Sequence, residues 1–503
     1  MANLKRASGR DDLCAVFVHA GAGFHNLDNE SKHLLACKHA VRAGMVFLRN
    51  GGTAVDAVEI AIASLEDAPI TNAGYGSNLT AKGVVEGMLQ LLIILAAVVL
   101  LVLYQNPIML ARKVYDQSSK LPGLARVPPN LLVGEGATDF AWTNGVAIVP
   151  DEVLITPAAH ERWRDWKQEI TDWESMNSMH NKTPEEKYDP WTRRCVDPVL
   201  SRVGRTFCDQ KLQAKVKAEL ASMHDAVETS EATGLDQGII VNDQPHIGKA
   251  FQGAYETAAS EEEVNECKSR HDKEPSSGVC ENGGDTITDT VGAIAIDRYG
   301  NIAAGSFSGG IGMKHRGRVG PAALIGIGTH VIPVDPADPD QTAVASVTSG
   351  TGEHIASTMA ASTSAHRIYY SQKAIGNGEF EMVTEDEALQ SMIVNEFSGH
   401  AALLNSEIKG SIGIMTVKKT KDGIALYFAH NTDSFALASM SSNDKLPAAL
   451  MSRNPRRHQK IARQVAQGGL MIRPRQYTRL CNQTAPKEKK ARKKRFYSSQ
   501  GPY

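Results

Sequence analysis

The sequence predicts a layered α/β (α+β) protein. Three observations carry that reading: residues 13 to 66 hold a short apolar run, a glycine turn and two stretches of helical periodicity; the part beyond residue 289 is a run of strand patterns with one or two helices; and 503 residues can bury a sizeable core. That length suits two or three average domains, or one large layered structure with long insertions.

In order along the chain, LCAVFVHAGAGFHN (13–26) reads as a short buried strand followed by a glycine turn. From Ser31 to Arg49 the positions Leu34, Leu35, Val41, Met45 and Leu48 share one helical face, and Asn50-Gly51-Gly52 is a C-terminal stop. Thr53 is an N-cap for a second helix reaching about Glu66, and APITNAGYGSNLT follows as a loop. LPGLARVPPNLLVGEGA is a proline-rich turn leading into a short element. From about Thr156 the composition changes: Trp163, Trp166, Trp173 and Trp191 stand among charges and periodicity fades. Residues 180 to 288 are expected to be a flexible, exposed acidic segment with one helix near Gln210 to His224. Beyond it, TVGAIAIDRYGNIAAGSFSGG predicts two strands about Tyr-Gly-Asn, with Gly and Asn at positive φ. VASVTSGTGEHIASTMAAST is a strand whose glycine turn opens a helix, and SIGIMTVKKTKDGIALYFAH is a hairpin turning at Asp422-Gly423.

Lysine plus arginine total 54 against 56 acids, so a net charge of −2 gives no global reason to expect nucleic acid or lipid. From Ser452 to residue 503, about fifteen basic residues face a single acid. That basic tail reads either as solvated chain or as a nuclear import or nucleic-acid patch. Seven scattered cysteines without a CxxC pair point to reduced thiols in an intracellular protein, with no zinc site or disulfide frame. The first residues carry no apolar signal region, and the sequons at Asn78, Asn181 and Asn482 are taken as chance matches.

MLQLLIILAAVVLLVLY (88–104) departs from this picture. It is shorter than the roughly 20 residues that cross a bilayer. Three readings compete for it: a membrane span, a buried helix or strand pair, and a stretch foreign to the working protein introduced at an exon boundary.

The chemistry concentrates at ITDTVGAIAID (287–297), where Asp289-Thr290 sits at the mouth of a buried strand, directly after the long acidic segment. An exposed segment ending at one residue is what a self-cleaving precursor needs. If the Asp289–Thr290 bond breaks, Thr290 gains a free α-amine of pKa about 8 beside its hydroxyl, so that one residue supplies nucleophile and base. By itself an Asp-Thr pair before a strand is ordinarily a turn or cap.

The surrounding motifs are VHAGAG (18–23), LEDAPITNAGYGSNL (65–79), LLVGEGA (131–137), DTVGAIAIDRYGNIAAGSFSGG (289–310), KHRGRVG (314–320) and TSGTGEH (348–354). Together and in this order they resemble the plant-type (type 2) asparaginase family of N-terminal-nucleophile hydrolases, and within it most resemble the endopeptidase branch, the threonine aspartases (taspases). The resemblance covers roughly residues 13–80, 106–150 and 285–450.

The resemblance implies a four-layer αββα sandwich, cut into an α part (1–289) and a β part (290–503). It implies Thr290 as nucleophile, Asp289 as the residue released in autoprocessing, and Ser308 as the hydroxyl supporting the nucleophile and its amine. Ser349 and Gly350 match donors to the developing oxyanion, such a donor being worth about 3 kcal/mol. Asn72 matches a residue near the nucleophile, and Arg318 the anchor for the substrate carboxylate. The small-molecule members carry an Asp three residues past that arginine, which holds the substrate amine; here it is Pro321, and Ser349 replaces their usual threonine. Those departures favour a substrate with a chain on both sides, and the resemblance to the threonine aspartases then implies a threonine endopeptidase cutting protein substrates (transcription regulators) after aspartate, in nucleus and cytoplasm, without metal or organic cofactor and without binding nucleic acid directly. The αβ heterodimer is expected to pair into a dimer of heterodimers. One alternative is a small-molecule asparaginase or isoaspartyl peptidase. Another is an unprocessed, inactive chain that binds partners or is anchored in a membrane by residues 88–104. The family carries a different segment between VVE and NP, so the apolar run is expected to cost the sandwich a central strand, and an exon-boundary error is the favoured reading of it.

Overall fold

The computed structural model describes residues 13–92, 96–101, 106–118, 127–146, 149–180, 290–406, 410–454 and 464–474. Asp289, the acidic segment with its expected helix at 210–224, and the KEKKARKKRF end of the tail lie outside them. By contacts the chain divides into two units, Met1–Glu169 with Ala258–Tyr503, and Ile170–Thr257.

Strand β1 (Ala15–Gly23) runs through the expected glycine turn, absorbing it as an irregularity between His19 and Ala22. Helix α1 (Leu27–Arg49) starts four residues before its predicted start, because Asn26 caps it by accepting from the Asp28 N–H. Helix α2 (Ala54–Glu66) begins with a capping box between Thr53 and Asp56. There follow β2 (Gly87–Leu92), β3 (Ala96–Leu101), α3 (Pro107–Ser118), β4 (Leu131–Val133), α4 (Gly134–Thr143) and α5 (Pro157–His180). The fading periodicity had left α5 unforeseen. The later part holds β5 (Val291–Ile296), β6 (Ile302–Ser308), β7 (Thr329–Ile332) and β8 (Ala343–Gly350), then helices α6 (Gly352–Ser357), α7 (Ala360–Tyr370) and, past the β9–β10 hairpin (Gln372–Gly376, Glu379–Met382), α8 (Glu385–Ser391) and α9 (Ala401–Leu404). It closes with β11 (Ile412–Thr420), β12 (Gly423–His430), β13 (Ser434–Ser441), β14 (Ala448–Arg453) and β15 (Ala466–Ile472). More helices occur here than the one or two expected. Two strands also enter the stretch read as a basic tail: Arg453 of β14 bridges Glu30 and Asp433, and β15 pairs with β12.

Two sheets form the centre. One has eight strands in the order β14-β13-β1-β5-β6-β2-β3-β4, the other five in the order β15-β12-β11-β8-β7. Helices α1 to α3 cover the outer face of the first through Val41, Met45, Val58, Ile62 and Ile108. Helices α6 to α8 cover the second through Ile355, Ile368 and Leu389. Between the sheets lies a third apolar layer, with Phe17, Ile294 and Met88 facing Val347, Met415 and Phe428. This is the αββα sandwich. Each sheet is buried on both faces, so its central strands can be apolar throughout.

That burial accounts for the apolar run. Its described residues, 88–92 and 96–101, form the paired strands β2 and β3 of the sheet, and the central strand is not lost as expected. Leu89 and Leu91 face the helices while Met88 faces the other sheet. Gln90 is buried with its amide oriented to donate to the Leu324 carbonyl (3.1 Å) and accept from the Ile325 N–H (3.3 Å). Among the described residues no helix is long and apolar enough to cross a membrane.

The β5–β6 hairpin is held at its far end by the Asp297 carboxylate. It accepts from the N–H groups of Tyr299 (2.9 Å), Asn301 (3.0 Å) and Ala54 (3.3 Å), the last being the first residue of α2. Only Gly300 takes positive φ in this turn; Asn301 instead gives its side-chain amide to Asp297.

Burial holds two histidines neutral: His19 is pushed down to about 3, against the pull of the Thr290 backbone, and His430 to about 4. Both folded values lie below the ordinary 6.5, so as pH falls the unfolded chain takes up protons first. Their contribution to stability is therefore complete above about pH 6.5 and declines from there toward pH 4, at about 1.4 kcal/mol for each unit of displacement, while the raised carboxyls of Glu59 and Glu66 act in the opposite sense. Relative to the parent protein, a His430→Asn variant, in which this group no longer titrates, should lose less thermal stability between pH 6.5 and 4; an identical pH dependence in the two would contradict this.

Candidate active site

Thr290 immediately precedes β5 and is 3% exposed. Val291 pairs with Phe307, so continuing the antiparallel register sets Thr290 opposite Ser308 at the end of β6. On its other side is β1, where Ala20 pairs with Val291. The mouth of the strand thus lies between the motif-bearing ends of two neighbours.

The opposite sheet reaches in through Ser349. Its Oγ accepts from the Thr290 N–H (3.2 Å) and from the Ala22 N–H (3.0 Å), so one fully buried hydroxyl joins β8 to the ends of β5 and β1. With both acceptor positions used, the hydroxyl proton remains to be donated. Next to it Gly350 sits at φ +138°, and a Cβ there would overlap the Ser411 carbonyl, so only glycine fits.

Ser308 turns its Oγ toward the glycine pair, accepting from the Gly310 N–H (2.9 Å). Asn72 is fully buried and wholly engaged in holding the same turn. Its Nδ2 donates to the Gly310 carbonyl (2.9 Å), its carbonyl accepts from the Gly309 N–H (2.9 Å), and its Oδ1 accepts from the Asn78 N–H (2.8 Å). Asn78 also donates to Gly310 (3.1 Å), and its burial leaves this sequon asparagine inaccessible to a glycan in the folded protein. Lys314 completes the support by donating from Nζ to the Asn78 carbonyl (2.7 Å). Burial pushes that amine down to about 7; Glu86 opposes the shift and Arg318 adds to it.

Arg318 lies on the loop leaving this turn, its side chain 14% exposed. Nε (3.0 Å) and Nη2 (2.8 Å) both donate to Oε1 of Glu353. That contact takes one edge of the guanidinium and turns Nη1 toward Gly310, where an added Cβ would lie 3.0 Å away. The apolar run reaches this loop too, since the Gly320 N–H donates to the Met88 sulfur (2.6 Å). Pro321, buried, opens a short 3-10 turn.

Thr290, Ser308, Ser349, Gly350, Asn72 and Arg318 are thus linked through a small set of shared neighbours, while Asp289 lies outside the described residues. His19, Lys314, Asn78 and Glu353 were quoted within motifs but given no role. The signal that could have singled out His19, Lys314 and Asn78 is a polar side chain inside a run of small residues that must be buried. Among the described residues no group of three or more His, Cys, Asp or Glu is placed to hold a metal ion.

A threonine opening a central strand of an αββα sandwich, its nitrogen bonded to a hydroxyl of the facing sheet, fits an N-terminal-nucleophile hydrolase fold. The Asparaginase_2 family model, described as asparaginase, matches residues 13–213 and 222–424, and the chain belongs to that family. It is 38% identical over 158 residues to an isoaspartyl peptidase/L-asparaginase of Danio rerio, covering 30% of this chain and 47% of that protein. It is 36% identical over 183 residues to a plant-type L-asparaginase of Pyrococcus horikoshii (34% and 56%), and 33% identical over 207 residues to an isoaspartyl peptidase/L-asparaginase of Macaca fascicularis (38% and 64%). The chain therefore spans about half the length of the curated relatives it matches.

Ser349→Ala leaves the N–H groups of Ala22 and Thr290 buried without their acceptor. Removing a buried partner costs roughly 1–3 kcal/mol per orphaned group. Urea unfolding should show a lower midpoint at unchanged slope, and a midpoint equal to that of the parent protein would contradict the bridging role.

Proposed function

We propose that the chain is a self-processing threonine hydrolase acting on an amide bond of an aspartyl-type substrate. The observation that carries this reading is the Thr290 nitrogen, buried at a strand mouth and bonded to a hydroxyl of the facing sheet. In the uncut chain that nitrogen is a peptide N–H. Before cleavage the Thr290 Oγ attacks the Asp289 carbonyl; the peptide nitrogen leaves as the Thr290 amine, and water resolves the ester formed on Oγ. The freed amine then takes the Oγ proton as Oγ attacks the substrate carbonyl. Ser349 and Gly350 stand where charge builds on the carbonyl oxygen, and the protonated amine returns its proton to the leaving nitrogen. Water, activated by the same amine, hydrolyses the acyl ester. The open end of the Arg318 guanidinium holds the substrate carboxylate near the Ser308–Gly310 turn.

Two substrate classes fit this chemistry. The activities for which the relatives are named support the first, asparagine and small β-aspartyl peptides. A second reading, an endopeptidase cutting after aspartate in protein substrates such as transcription regulators, is favoured by Pro321: three residues past Arg318 stands a buried ring, not a carboxylate that could hold a free substrate amine. Nuclear and cytoplasmic location and pairing of αβ units belong to that second reading.

The test uses a β-aspartyl dipeptide, asparagine and a peptide with an internal aspartate. Thr290→Ala should abolish both the cut before residue 290 and turnover. Arg318→Ala should leave the cut intact and raise KM roughly ten- to a hundred-fold, the worth of a charge-assisted pair. Turnover of the dipeptide and asparagine alone selects the first class, and cleavage of the peptide selects the second. An uncut protein with full activity would overturn the nucleophile assignment.

A further inference from the structure

The loop from Gly309 to Arg318 carries the carboxylate anchor, and on one side it is pinned by hydrogen bonds to the N-terminal part. The Gly309 N–H donates to Asn72 (2.9 Å), the Met313 N–H to Leu79 (3.0 Å) and the Gly317 N–H to a Glu86 carboxylate oxygen (2.9 Å), while the Lys314 carbonyl accepts from the Ala81 N–H (2.9 Å). Met313 holds φ +55°, a conformation that persists in a non-glycine residue only where its surroundings over-determine it.

Helix α5 closes the other side. Ala159, Arg162, Trp163 and Trp166 recur at helical spacing and are withdrawn from solvent, whereas Glu161, Arg164, Asp165 and Lys167 between them are exposed. Arg162 donates to the Gly76 carbonyl (3.3 Å) in the loop that carries Asn72 and Asn78. Trp163 packs on the small cluster of Leu79, Val85 and Leu154, and a Cβ on Gly83 would lie 3.3 Å from its ring. Trp166 covers Gly312 so closely that a Cβ there would overlap the indole. One helical face thus spans both loops that shape the site, with the indole of Trp166 filling the space that a side chain at 312 would need.

We propose that Trp166 is a positioning residue: seated on Gly312, it fixes the loop that presents Arg318 and so sets how tightly the enzyme holds a carboxylate-bearing substrate. The proposal rests on the reading of Arg318 as the anchor. It gives the tryptophan-bearing helix a function, and it makes the grip on substrate depend on a contact between the parts of the chain on either side of Thr290.

The test pairs kinetics with amide hydrogen exchange of residues 309–318 in the full-length protein, using a β-aspartyl dipeptide and an internal-aspartate peptide as probes. Trp166→Ala should raise KM about five- to twenty-fold with kcat within about two-fold, and should speed exchange in the loop; Trp166→Phe should recover most of the loss. Gly312→Ala, allowed by its backbone but colliding with the indole, should raise KM in the parent and have little further effect in the Trp166→Ala background, a non-additivity expected of residues in contact. That pair also carries the test if Trp166→Ala alone does not fold. Unchanged KM and exchange in the Trp166 variants, while Arg318→Ala does raise KM, would overturn the proposal. So would a Gly312→Ala penalty of equal size with and without the indole. If Arg318→Ala itself leaves KM unchanged, the anchor reading fails, and exchange in the loop alone decides whether Trp166 holds it.

Discussion

The organisation of the site depends on the Ser349 hydroxyl. It stands in the five-stranded sheet yet accepts from two backbone groups of the eight-stranded one, Thr290 and Ala22. Neither N–H has access to water, so without this oxygen both would be unpaired at the place where the strands must end. The bond fixes the depth at which the threonine sits and the spacing of the sheets at their open end. A residue at the mouth of a central strand is rigid by default, and the bridge adds rigidity across the layers.

Ser349 is the outermost of several buried hydroxyls between or within the layers. Ser306 of β6 meets Thr329 of β7 at 2.7 Å, linking the two sheets, Ser346 meets Thr416, and Thr348 donates to the Gly328 carbonyl at 3.3 Å. Each is partnered inside an otherwise apolar sandwich, so the polar groups fix the alignment of the layers where apolar contacts alone would tolerate slip.

Much of this was legible in the sequence because it is local. The helix cap at Thr53, the turn at Asp422-Gly423 and the threonine before an apolar strand all involve neighbours in the chain. Three things were not legible. The apolar run stayed open among three readings, a buried strand pair being one of them, because a strand buried on both faces loses the alternation that marks a strand, and its one polar residue, Gln90, finds partners more than 230 positions away at Leu324 and Ile325. Helix α5 was missed because its inward stripe of Ala159, Arg162, Trp163 and Trp166 mixes an arginine and two tryptophans among charges and carries no run of aliphatic residues at helical spacing. The use of Glu353 to steer Arg318 was hidden for a third reason: a glutamate in a helix's first turn is ordinary, and only the fold brings the two within 2.8 Å.

The strand order has a consequence for a molecule severed ahead of Thr290. Reading across the large sheet, β14 and β13 come from the later piece, β1 from the earlier, β5 and β6 from the later, and β2 to β4 from the earlier. The pieces are shuffled like two hands of cards, so neither can depart without tearing open three seams of paired strands. Severing therefore costs the folded molecule almost nothing. Once melted, however, the fragments must find each other by diffusion, and reassembly becomes a matter of concentration. Such a protein is made once, from a single chain, and is held afterwards by the height of its unfolding barrier.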